Sequence, residues 1–256
     1  MKSHKTIHKD FFKHSTFFDD IIKNFDVKGE DFGNQDRNSL KLFQLKNVTV
    51  NVKSFRVPNF INQIAYRFFR KSKAQRSYEY ANRLKDLNIG TPQPMGYYEF
   101  KTPFLFKKSY YISEQLHCEL TYRELTTDFE IPNYEAILRA FTRFTYQLHE
   151  HGVHFLDHSP GNTLIQLNNG DYKFYLVDLN RMEFKPLDFN TRIKNFARLT
   201  THKSMVEVMS DEYAKCYGED YNKVFDLMWT QTQAFQEKYH RKRRLKKRLK
   251  FWRSTQ

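Results

Sequence analysis

The stretch "HFLDHSPGNTLI", residues 154–165, places Asp157 five positions before Asn162, where a helical pattern gives way to a strand. A D-x-x-x-x-N spacing suits a phosphotransfer loop, in which the aspartate accepts the proton of an attacking hydroxyl and the asparagine ligates metal. The spacing also arises by chance in polar turns, so its flanks decide its reading.

Upstream, Ile137, Phe141, Phe144 and Leu148 share one helical face, and Pro132 suits the first turn of that helix. Downstream, "TLIQLNNGDYKFYLVDLNR" (163–181) has two alternating apolar runs separated by "NNGD", the pattern of a hairpin whose second strand ends at Asp178. Asp178 follows Asp157 by 21 residues, where a second, metal-binding aspartate would stand.

Nearer the N-terminus, "LKLFQLKNVTVNVKSF" (40–55) alternates around a "KN" turn at Lys46 and Asn47, predicting a hairpin with Lys53 at the end of its second strand. The segment "KSKAQRSYEYANRLKDLNIG" (71–90) spaces Ala74, Tyr78, Ala81, Leu84 and Leu87 as a helix ending at Gly90, before Pro92 and Pro94. That helix is expected to pack on the hairpin and carries Glu79. Two more strands are expected around 95–100 and 109–116, followed by a connector near 114–120 and a mainly helical remainder.

Phosphoryl transfer from ATP needs a cation for the nucleotide phosphates, oxygens for magnesium and a carboxylate for the acceptor hydroxyl. Lys53, Glu79, Asp157, Asn162 and Asp178 are the candidates. Singly, each has a plainer account: a solvated strand-end lysine, a charge on a helix surface, polar loop residues. Their order is more telling. A strand lysine, a helix glutamate, a helix leading into D-x-x-x-x-N and a hairpin delivering "VD" are the successive parts of a kinase-like fold.

The strings "VNVKSFRVPNFINQIAYRFFRKSKAQRSYEYANRL", "GTPQP", "HFLDHSPGNTLI" and "LVDLNRMEF" resemble the bacterial lipopolysaccharide kinase family, which includes Kdo and heptose kinases, over about residues 38–184. The resemblance implies an α+β, bilobal protein-kinase-like fold: a strand-rich N-lobe (1–115), a mainly helical C-lobe (116–237), the active site between them, and a basic tail (238–256). It implies Lys53 as the ATP-phosphate lysine, Glu79 as its partner, Asp157 as catalytic base, and Asn162 and Asp178 as magnesium ligands. Glu114 and Leu116, in the connector, are the further nucleotide contacts expected. Such enzymes transfer the γ-phosphate of ATP to a sugar hydroxyl of the lipopolysaccharide inner core or lipid A, at the cytoplasmic face of the inner membrane.

The chain departs from the protein-kinase pattern. Phe155-Leu156-Asp157 stands where His-Arg-Asp would be, and Asp178 is followed by Leu-Asn instead of Phe-Gly, which points to a sugar or atypical kinase. "VKGEDFGNQDRN" (27–38) lacks G-x-G-x-x-G, so phosphate cradling falls to backbone around Gly33–Asn38 with Arg37 as helper, or the segment is a hydrophilic turn. His149, His151, His154 and His158 match no zinc spacing and read as loop structure, with His158 a candidate substrate contact.

The chain has 256 residues, enough for a two-lobed domain, with 17% aromatic residues and a formal charge of +14. Ten of those positive charges lie in 238–253 without an acidic residue, so +4 remains elsewhere. Leu245, Leu249 and Trp252 recur on one helical face of this tail, suiting an anionic inner-membrane surface; a solvated tail and a nucleic-acid-binding arm are the other readings. Cys118 and Cys216 are far apart and suggest a reducing compartment. With charges where a signal peptide needs an apolar core, the expectation is a cytoplasmic protein, peripheral on the membrane if the tail binds lipid. The competing functions are a protein or small-molecule kinase on the same scaffold, and a non-catalytic basic module on membrane or RNA.

Overall fold

The structure, a computed structural model, describes residues 2–33, 38–168 and 170–254, with the side chains of 247–254 excepted. The chain forms two compact units. The first contains the residues up to His117 together with Tyr175–Arg181, and the second contains Cys118–Phe174 together with the residues from Met182 onward.

In the first unit, β1 (Lys2–Ile7) is followed by α1 (Ser15–Lys23), a short β2 (Glu30–Asp31), β3 (Asn38–Leu45) and β4 (Val48–Phe55). Then come α2 (Phe60–Phe68), α3 (Lys73–Asp86), β5 (Pro94–Lys101) and β6 (Phe106–Glu114). The strands make one sheet in the order β1-β5-β6-β4-β3-β2. The expected hairpin is β3/β4, with Leu45 opposite Val48 and Lys46 at φ 53° in its turn. Alternation along β4 buries Val50 and Val52. On α1, Phe18, Ile21 and Ile22, continued by Phe25, recur at helical spacing and close over Val50, Val52, Met95 and Ile112 to make this unit's main core.

The helix that carries Glu79 is α3, started by the Ser72 hydroxyl accepting from the Gln75 amide at 3.0 Å. It packs chiefly on β5 and β6, not on the β3/β4 hairpin, through contacts such as Tyr78 against Tyr97. The contact is apolar: Ala74 and Tyr78 of α3 cluster with Tyr97 of β5 and Tyr111 of β6.

The second unit holds β7 (Leu120–Thr121), α4 (Tyr122–Leu125), α5 (Tyr134–Glu150), β8 (Val153–Phe155), β9 (Thr163–Asn168), β10 (Asp171–Leu176), β11 (Met182–Phe184), α6 (Phe189–Lys194), α7 (Lys203–Tyr217) and α8 (Tyr221–Ser254). Helix α5 starts two residues after Pro132, because Asn133 takes a left-handed φ of 60° and the helix can begin only beyond it. Its Ile137, Phe141 and Leu148 are buried as the periodicity requires, and Phe141 packs with Tyr122, Phe174 and His158.

The division between units falls after His117, not after residue 115, and β10 does not end at Asp178. Its last residue, Leu176, donates its amide to the Gly90 carbonyl and accepts from the Thr91 hydroxyl, both at 2.9 Å, so the turn that follows belongs to the first unit. Nor is the basic tail a separate segment, since it continues α8. Tyr239 and Leu245 are exposed there, while the side chains of Leu249 and Trp252 lie outside the described residues.

Two histidines are sealed in the second unit's core. His149 bonds the Tyr213 hydroxyl at 2.9 Å and the Asn195 amide oxygen at 3.2 Å, and His158 lies among Phe141, Phe155 and Phe196. Burial pushes each imidazole down to about 3. The unfolded chain, with ordinary histidines near 6.5, then binds more protons than the folded one between those values. Stability is therefore complete above about pH 6.5 and lost as pH falls towards 3, by roughly 2 kcal/mol per histidine at pH 5. Urea unfolding at pH 7.5, 6 and 5 should show this decline, with a shallower slope for His158→Leu; a flat profile would contradict it.

Candidate active site

In the first unit, Lys53 on β4 extends its ammonium to Asp178 Oδ1, 2.9 Å away. Asp178 sits two residues beyond β10 at φ 57°, a left-handed conformation that asparagine and aspartate tolerate better than other side-chain-bearing residues. The Asn180 amide donates to the same Oδ1 at 2.6 Å. The Leu-Asn that replaces Phe-Gly thus has a structural meaning: Leu179 is buried and Asn180 orients the aspartate.

Around this carboxylate the balance is cationic. Lys73, at the start of α3, is half-buried, and burial pushes its ammonium below the usual lysine range; Asp178 opposes that shift, and Arg76, Lys53 and Arg181 add to it. Arg76 Nε is buried without a hydrogen-bond partner among the described residues. An unsatisfied guanidinium nitrogen beside clustered cations suits an anion such as a polyphosphate.

Glu79 does not partner Lys53. Its carboxylate takes the Gln75 amide at 2.9 Å, one turn earlier on α3, and Lys71, just before the helix starts, at 2.8 Å. Both groups are close to it in sequence, and Gln75 shares its helical face, so they capture it first. Glu114 ends β6 with its amide on the Gln93 carbonyl at 3.0 Å, and the Leu116 carbonyl accepts from the Gln115 side chain at 3.2 Å. Gly33 has open space where a Cβ would project, at φ 66°, whereas Gly29 could not bear a side chain because the Phe43 ring fills that place. Arg37 lies outside the described residues.

In the second unit the loop after β8 carries Asp157 and Asn162. The Asn162 amide nitrogen donates to the Asp157 carbonyl at 2.8 Å, which closes the loop and turns the amide oxygen to other use. Arg198 was not legible in the sequence, where it stands in no motif. Its Nη1 donates to Asp157 Oδ1 at 2.7 Å and to the Leu156 carbonyl at 3.1 Å, and its guanidinium lies over Phe235. His158 is fully buried, so it is a packing anchor beside Asp157 and not a substrate contact. Arg198 also lines a cleft of about 540 Å³ with Lys185, Lys194, Lys238, Asn195 and Phe235; no Asp or Glu lines it.

A family model described as the lipopolysaccharide kinase (Kdo/WaaP) family matches residues 41–221, most of the chain. The chain belongs to this family. Among solved structures it is similar to one described as "WaaP in complex with acyl carrier protein", at 14% identity and a TM-score of 0.65, over 93% of this chain and 98% of that one. That likeness establishes the α+β, protein-kinase-like fold. No curated protein matches the chain. As a lipopolysaccharide kinase family member it is a phosphotransferase that uses ATP.

Among the described residues no group of three or more His, Cys, Asp and Glu is placed to hold a metal ion. Asp178 in the first unit and Asn162 in the second each carry a side-chain oxygen of the kind a hard cation takes. No helix among the described residues is long and apolar enough to cross a membrane.

Arg198 is a positioning residue for Asp157. Arg198→Ala should lower kcat about 10- to 100-fold with little change in the KM for ATP, because only the orientation of the carboxylate is lost. Arg198→Lys should recover part of this, since an ammonium can replace one of the two hydrogen bonds. Steady-state kinetics with ATP varied would check both; equal losses for Ala and Lys would argue against positioning through charge.

Proposed function

We propose that this chain phosphorylates a sugar hydroxyl of the lipopolysaccharide inner core, Kdo or heptose, with magnesium-ATP. The observation that carries the reading is the Asp157 loop itself: family membership across 41–221, with Asp157 held at its carbonyl by Asn162 and at its carboxylate by Arg198.

Lys53, Lys73 and Arg76 bind the nucleotide phosphates, replacing by charge-assisted hydrogen bonds the hydration those oxygens lose. Asp178 and Asn162 are each proposed as residues that would hold magnesium, which would supply charge neutralisation on the transferred phosphoryl group. Asp157 accepts the hydrogen bond of the acceptor hydroxyl, aims its oxygen and takes its proton as that oxygen bonds to the γ-phosphorus and the bond from the γ-phosphorus to the β,γ-bridging oxygen breaks, ADP leaving. A loose phosphoryl-transfer transition state asks more for orientation of the hydroxyl than for its early deprotonation, and Arg198 supplies that orientation through the Asp157 carboxylate. Glu114 and Leu116 remain proposed nucleotide contacts, Gly33 a proposed backbone contact, and Glu79 keeps a supporting role through Lys71.

The acidic inner-core sugars suit the cleft beside Arg198. A carboxylate or phosphate on the acceptor would meet Lys194 and Lys238 there, and Asn195 and Gln231 offer hydrogen bonds to its hydroxyls.

The test is γ-phosphate transfer from labelled ATP to purified deep-core lipopolysaccharide. Label is expected in the lipid fraction, and Asp157→Ala and Asp178→Asn should each reduce it by about 10²-fold or more while the fold is retained. Undiminished transfer by folded Asp157→Ala would refute the mechanism. Transfer to protein but not to core sugar would assign the scaffold to another acceptor.

A further inference from the structure

Helix α2 is amphipathic with its faces reversed. At 100° per residue, Phe60, Ile61, Ile64 and Phe68 fall within one arc, yet the helix contains no buried residue. Phe60, Ile61 and Phe68 are 54–77% exposed, and the adjoining Phe69 and Phe104 are 83% and 74% exposed. The polar side points the other way: Asn62 and Tyr66, with the capping Asn59, line a cavity of about 460 Å³ that also holds Arg56 and Lys73. The Arg67 guanidinium donates to the carbonyls of Thr102 and Pro103 at 3.0 and 3.2 Å, which brings the loop bearing Phe104 to the end of α2. Phe60, Ile61 and Phe68 therefore stand exposed on one arc of α2, and the exposed Phe69 and Phe104 flank its C-terminal end.

Such a patch on a folded domain needs a partner, and the charges around it indicate which. Arg56 and Lys73 lie on the cavity side, but residues 67–71 carry three cations, Arg67, Arg70 and Lys71, and no acidic residue, and from Lys101 to Lys108 there are three cations and none. Some are engaged, Lys71 by Glu79, Lys101 by Glu99 and Lys108 by Asp26. The two segments that expose the aromatics still carry only positive charge of their own. An apolar ridge fringed by arginine and lysine is complementary to an anionic lipid surface, where the ridge enters the acyl boundary and the cations meet the head groups.

We infer that α2 and the 102–104 loop form a membrane-docking surface of the first unit for anionic phospholipid. This goes beyond the kinase reading and does not depend on it, although a lipid-linked acceptor would be presented at the same surface. It also separates lipid insertion, by α2, from the electrostatic attraction available to the basic end of α8.

The experiment is co-sedimentation of the full-length protein with vesicles of phosphatidylethanolamine and phosphatidylglycerol, and with vesicles of phosphatidylcholine alone. Binding is expected to the anionic vesicles, weakened about a hundredfold by Ile61→Ser/Phe69→Ser, two side chains that would leave water on docking. Both are exposed, so the thermal midpoint should not fall. A second variant, Phe69→Trp, retains the ridge, and its added emission should shift to the blue on anionic vesicles and be quenched by lipids brominated in the acyl chain.

Unchanged vesicle binding in the double variant would overturn the inference, leaving the basic segment of α8 as the attachment. So would self-association in solution that the double variant abolishes, with no vesicle binding, since the ridge would then face a second copy. A Phe69→Trp signal that responds to vesicles but resists acyl quenching would overturn it as well. Because no ATP or acceptor is present, failure of the kinase reading leaves the result intact.

Discussion

The ion pair between Lys53 and Asp178 organises the first unit. It joins the second strand of an early hairpin to a turn that arrives much later in the chain, after the catalytic loop and the β9/β10 hairpin. The turn is held for that purpose by backbone bonds at Gly90 and by the Thr91 hydroxyl, and Asp178 accepts a left-handed φ to reach Lys53. A strained residue that keeps its conformation is over-determined by its neighbours, and here the neighbours are the Lys53 ammonium and the Asn180 amide. The pair also restrains both groups: the lysine ammonium and the aspartate carboxylate hold each other in place.

Excess cation is the second constraint. Lys73 stays half-buried against its own desolvation, close enough to Lys53, Arg76 and Arg181 to be pushed further down, with one carboxylate to offset them. Such an arrangement is stable in water but incomplete, and a polyanion resolves it. In the second unit Arg198 is the counterpart: it stacks over Phe235, fixes Asp157 and contributes to a cleft without acidic side chains. The formal charge of +14 is therefore not only a property of the basic segment, since cations outside it surround Asp178 in the first unit, line the cleft beside Arg198 in the second and border the α2 ridge.

What the sequence revealed and what it hid follow from the range of the interactions. Alternation shows the β3/β4 hairpin and helical spacing shows α3 and α5, because each signal is local, and the D-x-x-x-x-N spacing falls on the loop after β8 that carries Asp157 and Asn162. The α1 helix and the strand before it went unread, although Phe18, Ile21, Ile22 and Phe25 show the same spacing. Glu79 was paired with Lys53 by order alone; Lys71 and Gln75 lie closer to it and hold it. Arg198 carried no signal at all, because its contact with Asp157 spans some forty residues and depends on how α6 and the turn after it fold back on the loop. The α2 ridge was concealed by its own regularity, since an apolar arc in sequence suggests a buried face and only the structure shows which way that arc is turned.

The loop after β8 combines a wet carboxylate with a dry support. Asp157 is part-exposed, and the next residue, His158, is sealed among three phenylalanines with its imidazole held neutral by burial. Moving Asp157 by a turn of the backbone would carry that ring towards water and open a void beside Phe141, a cost of a few kcal/mol by analogy with other core truncations. Asn195 adds to the same restraint from the side, donating to the Phe155 carbonyl at 2.9 Å and accepting from His149 at 3.2 Å. Packing thus sets the position of the loop backbone, and Arg198 sets the rotation of the carboxylate. A phosphotransferase that works by orienting a hydroxyl needs both, and no single charged residue could supply them.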